Sequence, residues 1–236
     1  MTELWTQFKQ VAASNPAAPA IGNLTGVSSL NYSDVFYRVS QLADLLMRLD
    51  SSAIGLFADN SPSWVIADLA CQLSKNCLVP LPTFFSPSQR EHALNDAGIT
   101  NLLTDNPAIF ENSGFKVSRV PTAPDTLFLM TRNYPELESK GALPVETSKL
   151  TYTSGSTGTP KGVCLSPAHI ANVANAIATA TQVCDIKRHL CILPLPTLLE
   201  NIAGIYAPFL RGAEVIIPAL TELGFKGSSQ FNHSDF

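Results

Sequence analysis

The chain has 236 residues, of which 45% are hydrophobic and only 14% charged, against about 25% charged in an ordinary globular chain. This balance excludes a disordered solvating chain, which needs low hydrophobicity and high charge. A net charge of −4 with no basic stripe excludes a binder that works by neutralising nucleic-acid phosphates.

In chain order, an amphipathic helix is expected over Glu3–Ala13, ending before Asn15-Pro16, then a short strand pair at Ala20–Asn23 and Ser29–Tyr32. From Ser33 the apolar positions Val35, Val39, Leu42, Leu46 and Leu49 recur at steps of four and three, the mark of a helix with one buried stripe. Ala53–Ala58 reads as a buried strand. Ser61-Pro62 is an N-cap followed by proline at the first helical position, opening a helix to about Lys75. Cys77–Leu81 is a strand, Ser86-Pro87 opens a further helix closed by Gly98, and Ile99–Thr104 is a strand. Strands and helices alternating over short links imply right-handed crossovers onto a largely parallel sheet.

Residues Asp105–Ser148 are less regular, with one strand candidate at Thr126–Thr131. A boundary within 133–147 divides the chain into a first α/β subdomain over 1–140 and a second over 141–236. Alternation resumes with strands at Lys149–Thr153 and Val163–Leu165, a helix from Ser166-Pro167 to Val183, and a strand at His189–Leu193. A helix over Thr197–Leu210 stops at Gly212, a strand covers Ala213–Ile217, and polar residues 221–236 close no element. The expected fold is α/β, with largely parallel sheets flanked by helices in two subdomains, the second incomplete at its C-terminal end.

Cys71, Cys77, Cys164, Cys184 and Cys191 show no metal-ligand spacing and sit among apolar residues. They are expected to be buried free thiols of a reducing cytoplasm. The N-terminus lacks a secretory pattern, and the most apolar window, Ile202–Leu220, is too interrupted to span a membrane. His92, His169, His189 and His233 are scattered without metal spacing, so no metal site is expected; Trp5 and Trp64 are expected packing residues.

The informative segment is Thr151–Val163, TYTSGSTGTPKGV. Its glycines let the backbone curl and approach a ligand closely. Consecutive N–H groups in such a curl form an anion nest, to which the hydroxyls add donors. Lys161 supplies a full charge, and Pro160 fixes a dihedral just before it. The spacing is not the Walker pattern, because Pro160 stands where its second glycine belongs.

The run Tyr152–Gly162 resembles the phosphate-loop signature of the adenylate-forming superfamily: acyl-CoA synthetases, aryl-CoA ligases, luciferases and peptide-synthetase adenylation domains. Asp59-Asn-Ser-Pro-Ser-Trp64 through Val79-Pro-Leu-Pro82 is similar to its early N-x-x-x-W helix and VPL strand. Leu193-Pro-Leu-Pro-Thr-Leu-Leu-Glu-Asn201, with Phe209–Val215, is similar to its next core motif and strand. By this resemblance Thr153, Ser154, Gly155, Ser156, Thr157, Gly158 and Lys161 hold the ATP phosphates, Lys161 being the catalytic charge. The implied reaction joins a carboxylate to the α-phosphorus of Mg2+·ATP, expelling pyrophosphate. Coenzyme A or a carrier-protein pantetheine thiol then displaces AMP.

Thr197 stands where many relatives carry a pocket histidine. Glu200 matches a glutamate of the long-chain fatty acyl members, although a solvated acid at a helix start accounts for it equally. The later family motifs and the small C-terminal domain are absent from the sequence. The expectation is therefore the N-terminal portion of a ligase of a fatty or other acyl acid, inactive alone, self-associating, and completed by the remainder of the same enzyme. The alternatives are a non-catalytic nucleotide- or acyl-binding remnant and part of a peptide-synthetase adenylation domain.

Overall fold

The computed structural model describes residues 2–26, 29–119, 126–133, 143–144, 146–153, 160–226 and 230–231. Helix α1 (Glu3–Ser14) precedes strands β1 (Pro19–Gly22) and β2 (Leu30–Asn31) and helix α2 (Tyr32–Leu46). Then follow β3 (Ala53–Phe57), α3 (Pro62–Ser74), β4 (Cys77–Pro80), α4 (Pro87–Asp96) and β5 (Asn101–Thr104). The irregular stretch holds a 3-10 turn (Pro107–Ser113), β6 (Lys116–Arg119) and β7 (Phe128–Thr131). After it come β8 (Lys149–Thr153), β9 (Lys161–Leu165), α5 (Pro167–Ala180), β10 (Arg188–Leu190), a π-helical turn (Glu200–Tyr206), α6 (Ala207–Leu210) and β11 (Glu214–Ile216). A 3-10 turn (Leu220–Leu223) and the antiparallel pair β12 (Phe225–Lys226) and β13 (Gln230–Phe231) follow, where no element was expected.

The larger sheet has seven strands in the order β6-β7-β5-β3-β4-β8-β9. Its centre, β5-β3-β4-β8, is parallel, and its edges, β7-β5, β6-β7 and β8-β9, are antiparallel. The smaller sheet runs β10-β11-β1-β2 and is parallel except for β2. Residues 1–140 and 141–236 both contribute strands to each sheet.

Successive strand residues point to opposite faces, and the central strands feed two cores in this way. Ile54, Leu56, Leu78 and Leu103 join the core under α2, α3 and α5. Ala53, Phe57, Val79, Leu102, Leu150 and Tyr152 join the core on the α4 side, with Phe110 and Phe115. Trp5 and Trp64 are buried as expected. The serines at 61, 86 and 166 cap α3, α4 and α5, each followed by proline.

Helix α3 is buried continuously from Ser63 to Gln72, as a helix enclosed on all sides must be. Its Asp68 is fully enclosed and meets Lys149, the first residue of β8, whose side chain is buried as well. Lys149 Nζ lies 2.9 Å from Asp68 Oδ1, and donates to Tyr206 Oη at 2.9 Å and to Asn201 Oδ1. Tyr206 Oη and Asn201 Nδ2 donate to Asp68 Oδ2 at 2.6 and 2.8 Å. Burial, followed by the Asp68 charge, pushes the Tyr206 phenol well above its ordinary range.

The helix expected over Thr197–Leu210 divides into the π turn and α6. Pro208 has no N–H to give the Gly204 carbonyl four residues back, and Cys191 Sγ instead approaches that carbonyl at 3.7 Å. The helix expected to reach Val183 ends at Ala180, followed by a 3-10 turn.

Removing one member of a buried pair strands the other charge, so Lys149→Met should destabilise the fold by about 3–5 kcal/mol. Asp68→Leu added to it should restore most of that loss, because no uncompensated carboxylate then remains. Urea unfolding midpoints of the two variants measure both outcomes.

Candidate functional site

In open parallel sheets ligands bind outside the carboxyl ends of the strands. Here those ends of both sheets meet. Strand β3 runs into Asp59 and Asn60, β5 into Asp105, β10 into Leu193–Thr197, and β11 into Leu220. Asn60 Nδ2 donates to the Leu193 carbonyl at 2.9 Å, while the Leu195 N–H donates to Asn60 Oδ1 at 2.8 Å. The Asp59 N–H donates to Asp105 Oδ2 at 2.9 Å, and Asp59 Oδ1 accepts the Leu220 N–H at 3.2 Å. Burial raises the Asp59 carboxyl pKa; N–H groups of Asn60 and Leu220 oppose that shift, and Asp105 and Glu222 add to it. One side chain, Asn60, thus bonds the end of the large sheet to the loop leaving the small one.

The phosphate-loop candidates Ser154, Gly155, Ser156, Thr157 and Gly158 lie outside the described residues. The loop's two stems are described. Thr153 pairs with Lys161 and Tyr152 with Gly162 across the antiparallel β8-β9 ladder, so both stems lie at the carboxyl edge of the parallel centre. Helix α4 holds each stem. Tyr152 Oη donates to Asp96 Oδ2 at 2.8 Å, and His92 Nε2 donates to the Pro160 carbonyl at 3.1 Å. Residues four apart share a helix face, which lets His92 and Asp96 grip both stems. Lys161 is exposed and makes no ion pair among the described residues.

Thr197 is half-buried, and its hydroxyl is spent locally on the Pro194 carbonyl at 2.6 Å. Glu200 is not the solvated acid considered above. It is buried at 5% exposure, accepts the Leu193 N–H at 3.2 Å, and lies 3.4 Å from His189 Nε2. The π turn directs it inward. His189 is therefore partnered rather than isolated, and Cys191 lies in the same cluster. Burial and the Glu200 charge push the Cys191 thiol up. Cys71 and Cys77 are also buried, but Cys164 and Cys184 are exposed, against the expectation for all five. Cys164 sits on edge strand β9, whose first four residues face solvent. His169 is exposed, and His233 lies outside the described residues.

Sequence reasoning missed the Lys149–Asp68 network and the α4 grip. Their signals were an aspartate amid the apolar run Val65–Cys71, a lysine opening a core strand, and histidine and aspartate spaced by four on α4.

The model of the AMP-binding enzyme family matches residues 8–230. The chain belongs to that family. It is 28% identical over 241 residues to novobiocin biosynthesis protein H of Streptomyces niveus, covering 94% of this chain and 38% of that protein. It is 24% identical over 209 residues to mouse (Mus musculus) long-chain-fatty-acid–CoA ligase 6, covering 73% of this chain and 30% of that protein. The chain thus spans well under half of these curated relatives. O-succinylbenzoate coenzyme A synthetase of Bacillus subtilis, solved with ATP and magnesium, shares the fold with a TM-score of 0.66 and 22% identity, over 89% of this chain and 56% of that one. Among the described residues no helix is long and apolar enough to cross a membrane.

Asn60→Ala should leave the Leu193 carbonyl and Leu195 N–H without their partner. Each orphaned buried group costs about 1–3 kcal/mol. Amide exchange at Leu195 should therefore quicken far more than exchange in β4, a difference that hydrogen-exchange mass spectrometry resolves.

Proposed function

We propose that this chain is the amino-terminal part of an ATP-dependent carboxylic acid ligase. The ligase forms an acyl-adenylate and then passes the acyl group to the thiol of coenzyme A or a carrier-protein pantetheine. The observation carrying this reading is the convergence of both sheets' carboxyl ends beside loop stems that carry Lys161, exposed and without an ion pair among the described residues, in a chain of the AMP-binding family. An exposed ammonium at that edge suits a polyphosphate, whose charge it neutralises as pyrophosphate becomes the leaving group.

In this reading Thr153, Ser154, Gly155, Ser156, Thr157, Gly158 and Lys161 hold the β- and γ-phosphates of Mg2+·ATP. The substrate carboxylate attacks the α-phosphorus from the side of the Leu193–Thr197 loop, so Thr197 stands near the acyl carboxylate. Glu200 acts behind that loop by fixing the Leu193 N–H, rather than by touching the acid. A fatty or similar lipid-like acid is the substrate class we favour, on the match of Glu200 to the long-chain members. Free thiols at all five cysteines suit a cytoplasmic enzyme. In this reading the groups that bind adenine, ribose and metal belong to the remainder of the enzyme.

In the longer enzyme, Lys161→Ala should lower acid-dependent exchange of labelled pyrophosphate into ATP by about 10²–10³-fold, the loss seen when one preorganised charge donor is removed. AMP affinity should stay unchanged, since AMP lacks the phosphates Lys161 serves. An equal loss for ATP and AMP contradicts the assignment. The 236-residue chain alone should show no exchange; exchange near the rate of the longer enzyme would place the reacting centre wholly within it.

A further inference from the structure

A second constellation lies behind the Leu193–Thr197 loop; of its members only Glu200 enters the proposed ligase reading, through the Leu193 N–H. His189 and Cys191 are two apart where β10 meets that loop, and Glu200 opens the π turn opposite them. His189 Nε2, Cys191 Sγ and a Glu200 carboxylate oxygen all lie within 4.8 Å of one another.

Three features distinguish this cluster from a chance meeting of polar groups. First, Glu200 is a buried carboxylate whose only ion-pair partner among the described residues is His189, at 3.4 Å. Arg188 next in sequence is spent on Glu214 at 2.7 Å. A buried anion without a full cation is costly, and a divalent ion at this point would offset that cost. Second, the roof of the cluster is bare backbone. A Cβ at position 204 would stand 2.2 Å from Glu200 Oε1 and 3.1 Å from His189 Nε2, so only Gly204 lets these atoms approach. Third, the Leu193 N–H already orients Glu200 through its other oxygen, as outer partners orient metal ligands.

We propose that His189, Cys191 and Glu200 form a zinc-binding site. One imidazole nitrogen, one thiolate and one carboxylate make the mixed donor set that zinc accepts, in a three-ligand arrangement with a fourth position for water. Bonds of about 2.0–2.3 Å require ligand atoms roughly 3.3–3.8 Å apart, so the cluster must contract by about 1 Å. His189, with 31% of its side chain exposed, can turn inward to close it and leaves an entry path. Cys191 enters as the thiolate, its proton passing to solvent. Bound zinc would tie β10 to the π turn and stiffen the loop between them. This inference is independent of the ligase reading.

The test is titration of the purified, metal-free chain with Co2+, followed by displacement with Zn2+. The expected result is a saturable one-to-one thiolate-to-cobalt charge-transfer band that Zn2+ abolishes. The band should survive Cys164→Ser combined with Cys184→Ser and vanish in Cys191→Ser. Because Cys191→Ser alters a buried position, Glu200→Gln, which keeps the side-chain volume, is the second variant. It should weaken Co2+ binding at least tenfold while its circular dichroism matches the parent. No saturable band, a band that persists in Cys191→Ser, or undiminished affinity in folded Glu200→Gln would each overturn the proposal.

Discussion

The ion pair between Lys149 and Asp68 is the constraint on which the arrangement of the functional groups depends. Neither side chain reaches water. Two enclosed charges are tolerable only when their geometry and remaining hydrogen bonds are satisfied. Satisfying them here takes Asn201 and Tyr206 as well, so one point joins α3, the first residue of β8 and both ends of the π turn. The consequences lie at a distance. Strand β8 leads from Lys149 to the loop stem at Thr153, and the π turn holds Glu200, which fixes the Leu193 N–H. A single buried junction thereby ties the stem at Thr153 to the segment proposed to face the acid.

Hydrogen bonds of a different kind complete that positioning. Asn60 bridges the two sheets through backbone groups, a contact sensitive to where both chains run. Helix α4 holds the loop stems through His92 and Asp96, and the Lys161 ammonium makes no ion pair among the described residues. Stems held in this way suit the phosphate-binding role proposed for the segment between them, since charge aimed in advance needs no rearrangement as a leaving group develops.

Much of this fold was legible in the sequence because local chemistry and tertiary structure agreed. Ser61-Pro62, Ser86-Pro87 and Ser166-Pro167 announce helix starts by a capping hydroxyl and a missing N–H, both local requirements. Short apolar runs between them gave the parallel centre. The π turn was not legible, because the apolar periodicity over Thr197–Leu210 fits an α-helix as well. Strand β6 escaped because all four of its residues are exposed and carry no alternation. The site divides the same way. Lys161 and its loop are candidates on residue type and order, and of them only Thr153 and Lys161 lie among the described residues. His92 and Asp68 act through partners distant in sequence, and Glu200 meets the nearer His189 and Leu193 only because the π turn faces it inward, so their roles depend on topology that no window reveals.

The central claim, that Lys161 faces the phosphates of a nucleotide held at the joined carboxyl ends, is tested most directly by affinity labelling. An acyl-phosphate derivative of ATP transfers its acyl group to a lysine amine beside the bound phosphates, the nucleotide leaving as the phosphate anion. Peptide mass spectrometry of the labelled protein should find the acyl group on Lys161, with labelling suppressed by excess ATP. Labelling spread over the exposed lysines and indifferent to ATP, or confined to another lysine and suppressed by ATP, would contradict it.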